Sequence, residues 1–201
     1  DKRFAGSRNP NLDVSLDAQV GDIRAALAFA RKLPEARGRK LLLVGHGEGA
    51  LLSLLAAQDA DALLLLAMPA QTMASTITGQ VRDQLPASAM APNLAYLEAA
   101  LRATRNRAPL PEASPDVLPG LVKLTRSLVA PETLDFVRST LDLDPWKMLE
   151  RVAVPVALAW GDRDIQTRRP DSPPPAFKGT VLDLPGANHF LKREPRPRAS
   201  L

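Results

Sequence analysis

Apolar residues recur every three or four positions from Leu16 through Val20, Ile23 and Leu27 to Ala30. This spacing predicts an amphipathic helix over 15–33, with Ser15 as its N-cap and Pro34 closing it. The pattern then changes. Leu41 to Val44 is continuously apolar and leads through a glycine-rich turn into a second apolar helix that runs to about Ala57. The run ALLLLAM, 62–68, is short and bounded by Asp61 and Pro69, which predicts a strand buried on both faces. Strand, helix and strand in that order imply a right-handed parallel crossover.

From 70 to about 150 the periodicity is helical. Met73, Ile77, Val81 and Leu85 form one stripe; Met90, Leu94, Leu97 and Leu101 a second; Leu118, Leu121, Thr125 and Leu128 a third. Breaks fall at Pro86, at RAPLPEASP (107–115) and at Pro131, which is placed in the first turn of a helix carrying Leu134, Val137 and Leu141. Strand patterning then returns in VPVALAW (154–160) and TVLDLP (180–185). The expected organisation is a core over 1–69, a helical insertion over 70–150 and the rest of the core over 151–201. RRPDSPPPAF (168–177) reads as a proline-stiffened loop.

Composition narrows the function classes. A chain of 201 residues that is 45% hydrophobic can bury a substantial core. Its 26 Lys and Arg against 22 Asp and Glu leave a charge of +4, but the basic residues are scattered or gathered in the tail KREPRPRASL. One tyrosine and two tryptophans make no stacking ladder, so nucleic acid is not an expected partner. With no cysteine there is no disulfide, thiolate metal site or cysteine nucleophile. The polar start DKRFAGSRNP shows no signal peptide, and the longest apolar run is too short to span a bilayer. The expectation is a soluble, cytoplasmic protein without a membrane partner.

Three segments carry the candidate chemistry: LLLVGHGEGA around Gly47, ALAWGDRDIQT around Asp164 and LPGANHFLK around His189. Their order, with strands before each and a helical insertion between, resembles the α/β-hydrolase fold, with its G-x-S-x-G elbow and its Ser, Asp or Glu, His triad. The fold class this implies is α/β, a three-layer α/β/α arrangement around a mostly parallel sheet, with the insertion as a helical lid. Within that fold the chain is similar to bacterial serine hydrolases of the dienelactone-hydrolase, acyl-thioesterase and serine-aminopeptidase type. DKRFAGS looks like the segment that follows the fourth strand of such proteins. On that count the first strands, the loop giving a second oxyanion donor and the final helix have no counterpart. A further segment of the same chain, or a partner chain, is therefore expected.

The resemblance assigns Asp164 as the acid, in preference to Asp162, and His189 as the base. It places Gly47 where the nucleophilic serine stands. At such an elbow the apex has a positive φ that glycine adopts cheaply, while Gly45 and Gly49 are expected to clear the strand–helix contact. The backbone N–H of Glu48 is implied as an oxyanion donor. His46 reads as structural and Ser53 as packed. Met68 and Met73 are expected to line a pocket for an acyl-type small molecule. The implied activity is hydrolysis of carboxylic ester, thioester or amide bonds without metal or organic cofactor, blocked here by Gly47. The alternative is a non-catalytic small-molecule binding protein on the same fold.

Overall fold

The computed structural model describes residues 13–167, 173–174 and 176–195. DKRFAGS, most of the proline-stiffened loop and the end of the basic tail lie outside the described residues, so the readings placed on them have no structural counterpart here. The chain divides into two compact units, one centred on Thr72–Leu143 and one built from Asp17–Gln71 and the residues from Asp144 onward.

In the second unit, α1 (Leu16–Ala30) precedes β1 (Leu42–His46), α2 (Glu48–Leu55) and β2 (Ala62–Leu66). The strands form a four-stranded, wholly parallel sheet in the order β1, β2, β3 (Val156–Gly161), β4 (Thr180–Leu184). Parallel strands need crossovers, and α2 supplies the first of them between β1 and β2. The core beneath it gathers Leu51, Leu54, Leu63, Leu65, Leu158 and Trp160. The indole N–H of buried Trp160 donates to the carbonyl of Met68 at 2.8 Å, satisfying the one polar atom of that ring. Leu63 and Leu65 are buried while their neighbours in β2 are only partly so, which corrects the expectation of a strand buried on both faces.

β1 lies at one edge of the sheet, and Leu42 and Val44 are 56% and 51% exposed. No strand among the described residues pairs with its outer side.

The first unit is helical: α3 (Met73–Gln84), α4 (Met90–Arg105), α5 (Pro119–Leu128) and α6 (Leu134–Thr140). Leu97, Leu101, Leu121, Val137 and Leu141 form its core. A buried amide organises the loop before α5: Asn93 donates to the carbonyls of Ala89 and Asp116 and accepts from the N–H of Leu118. Pro131 stands in a turn that precedes α6 rather than in its first turn. The insertion boundary expected at 150 also moves. Residues 144 onward belong to the sheet unit, where the short helix α7 (Pro145–Leu149) buries Leu149 in the sheet's core. No helix among the described residues is long and apolar enough to cross a membrane.

Candidate active site

Parallel strands deliver their following loops to one end of a sheet, and in this chain three such loops meet. Gly47 follows β1, Asp164 follows β3 and His189 follows β4. Gly47 caps α2 at φ +56°, ψ −121°, and its N–H donates to the carbonyl of Leu66 at 2.9 Å. The backbone is thus pinned in a conformation that L side chains adopt only under strain.

The tight turn also explains one flanking glycine. A Cβ on Gly45 would sit 2.6 Å from the carbonyl oxygen of Gly49 and 2.7 Å from the Cα of Ala50, so strand and helix can approach only without it. Gly49 is different, because a Cβ there meets nothing within 4 Å. Clearing the strand–helix contact, expected of both glycines, falls to Gly45 alone. Ser53 is buried and donates its hydroxyl to the carbonyl of Gly49 at 2.7 Å, consistent with a packing role.

Asp164 is 1% exposed, and a buried carboxylate must have its oxygens satisfied. Oδ1 accepts from the N–H groups of Gln166 and Thr167 at 2.8 and 2.9 Å. Oδ2 accepts from the Thr167 hydroxyl and lies 2.9 Å from Nδ1 of His189. An ionised carboxylate has no proton to give, so this pairing places a proton on Nδ1 and leaves the Nε2 lone pair of a neutral ring facing outward. It faces Gly47: an ideal Cβ on that glycine would lie 3.4 Å from Nε2 of His189.

The loop carrying His189 is fixed from several sides. The side chain of Asn188 accepts from the N–H groups of Phe190 and Lys192 at 3.0 and 3.1 Å, folding the chain tightly around the histidine. His46 hydrogen-bonds through Nε2 to the carbonyl of His189 at 2.7 Å, with the two ring centroids 4.8 Å apart. Asp162 accepts from the N–H of Gly186 at 2.7 Å, and Arg163 N–H donates to the Ala187 carbonyl at 3.0 Å. The Ala187 carbonyl also packs so closely on Gly161 that a Cβ at 161 would overlap it.

Gly47, Asp164 and His189 are therefore brought together, and Asp162, the less favoured acid, ties down the histidine loop instead. Glu48 is the first residue of α2, directly after Gly47. Met68 is fully buried in the core of the sheet unit, which corrects its placement in a pocket lining: core packing takes up its side chain. Met73 packs against the core of the helical unit, where its sulfur accepts from the Thr140 hydroxyl at 3.9 Å. Thr167 was not picked out from the sequence, although a threonine three residues after a strand-end aspartate is a side-chain-to-backbone turn pattern. No group of three or more His, Cys, Asp or Glu side chains among the described residues could hold a metal ion.

No protein-family model matches the chain, and no curated protein sequence matches it. Solved structures do. A membrane phospholipase A described as a bacterial virulence factor is 18% identical with a TM-score of 0.50, the match covering 91% of this chain and 59% of that one. An N-formylmaleamic acid deformylase from Pseudomonas putida S16 is 16% identical with a TM-score of 0.46, covering 96% of this chain and 74% of the other. Est1E from Butyrivibrio proteoclasticus is also 16% identical, with a TM-score of 0.49 and coverage of 89% and 64%. The chain thus spans roughly three fifths to three quarters of the length of these proteins. With a parallel sheet whose strand-end loops converge on one site, this chain has the α/β-hydrolase fold.

Proposed function

We propose that the site is that of a hydrolase of carboxylic ester, thioester or amide bonds in which Gly47 stands at the nucleophile position, so that covalent acyl transfer is blocked. One observation carries this reading. A buried carboxylate orients an imidazole, and the free nitrogen of that imidazole faces the apex of a positive-φ turn.

With a hydroxyl at position 47, His189 would take its proton and return it to the leaving group, Asp164 would hold the ring in the required tautomer, and the N–H of Glu48 would steady the oxyanion at the start of α2. Neither metal nor organic cofactor is needed for that sequence of steps. Loss of the nucleophile costs about a millionfold in turnover in well-studied serine hydrolases, so the chain as it stands is inactive or strongly impaired by the covalent route. The ligand is a small acyl-type molecule.

The test is to install Gly47→Ser and assay activated esters, thioesters and aminoacyl amides. Turnover that disappears when His189→Ala is added supports the proposal. Its absence on every substrate, with tight binding of an acyl compound retained, would favour a binding protein instead.

A further inference from the structure

Glycine at position 47 also creates room. Leaving out its chain neighbours, the only described atoms within 4 Å of its Cβ position are Nε2 and Cε1 of the His189 ring, at 3.4 and 3.6 Å. An oxygen hydrogen-bonded to Nε2 at about 2.8 Å on the side facing Gly47 would stand in this space. The His189 side chain is 13% exposed, so solvent can reach it. Asp164, wholly buried at its side chain, keeps the proton on Nδ1 and the basic lone pair on Nε2.

We infer that this chain uses a water molecule where its relatives use a serine: a direct, single-displacement hydrolase of activated acyl compounds with His189 as general base. The inference rests on the hydrolase reading above. His189 Nε2 removes one proton from the water as its oxygen bonds to the acyl carbon, and the carbonyl π pair moves onto the carbonyl oxygen. Collapse of the tetrahedral species restores the carbonyl and expels the alkoxide, phenolate or thiolate, which takes the proton back from Nε2. Water and ester become acid and alcohol, and no acyl group is attached to the protein. Small alcohols fit the same space and would compete with water, giving the corresponding ester.

The experiment uses the unaltered chain with p-nitrophenyl acetate. The expected result is hydrolysis about a hundredfold above that of His189→Ala, with no acetylated protein in the intact mass spectrum during turnover. Gly47→Ala, whose methyl group fills the space, lowers the rate to the His189→Ala level. Should that variant not fold, methanol and tert-butanol give a second readout without touching position 47: methanol yields methyl acetate in a His189-dependent way and tert-butanol yields no ester. A native rate equal to that of His189→Ala overturns the inference, as does an acetylated protein or equal use of the two alcohols. Turnover by Gly47→Ser alongside a native rate equal to background would leave the hydrolase reading standing and remove only the water route.

Discussion

Nε2 of His46, the last residue of β1, holds the carbonyl of His189 at 2.7 Å across 143 residues of sequence. The strand that delivers Gly47 therefore also steers the loop that delivers the imidazole. A single hydrogen bond of this kind is worth roughly 1 kcal/mol. In a Gly47→Ser background, His46→Ala is expected to lower kcat about fivefold with KM little changed, whereas His46→Gln, which keeps a donor, recovers most of it. Steady-state kinetics on the three proteins check this.

Asp164→Asn tests the tautomer argument. An amide at 164 can offer its own N–H to Nδ1 and so favours the proton on Nε2, the wrong nitrogen for a base facing residue 47. Loss of kcat by about 10⁴ in the Gly47→Ser background is expected, as in serine hydrolases that suffer the same change.

Thr167 supplies two of the donors that satisfy the buried carboxylate, one from its backbone and one from its hydroxyl. Thr167→Val removes the second and keeps the shape. Since an under-satisfied buried acceptor costs about 1–3 kcal/mol, urea denaturation should show a loss of that size. Thr167→Ser should restore most of it.

The two flanking glycines are expected to respond in opposite directions. Gly45→Ala drives a methyl group into backbone atoms of α2, and overpacking of this kind costs about 1–3 kcal/mol or more. Gly49→Ala meets open space in the first turn of α2, where alanine's helix preference gains up to about 1 kcal/mol. Thermal melts of the two variants should move the midpoint down and up respectively.

Acid stability has a local prediction. The N–H of Leu41, and then Arg31, hold the Asp61 carboxyl below the usual carboxylate range. A carboxyl depressed in the folded state adds stability above its unfolded pKa and loses it as pH falls through the folded value. Asp61→Asn should therefore lower stability more at neutral pH than at about pH 2, since the carboxylate's contribution fades as the pH falls below its unfolded pKa and through its lowered folded one. Urea midpoints at the two pH values check the difference.

Much of this was legible because the relevant signals are local. The runs at 41–44, 62–68, 154–160 and 180–185 are short, apolar and bounded by turns, so each marks a strand, and the three chemical segments each follow one of those strands. The helical stripes at 73–85, 90–101 and 118–128 placed α3, α4 and α5. What escaped depends on distance in space. Asp162 and Asp164 stand two residues apart on one loop; the family resemblance favours Asp164 as the acid, but that Asp162 ties down the histidine loop through the N–H of Gly186 is visible only in the fold. An apolar residue such as Met68 carries no mark in sequence that separates core from pocket lining. Helix α7 is only five residues long, too short for periodicity, although Asp144 capping it and Pro145 opening it are a readable start signal.

The central claim is that residue 47 is a nucleophile position served by His189 and Asp164, and covalent capture tests it most directly. Gly47→Ser treated with a fluorophosphonate should gain one adduct, mapped to position 47 by peptide mass spectrometry, and His189→Ala should abolish it. A folded Gly47→Ser protein that stays unlabelled, or that is labelled equally well without His189, would contradict the account.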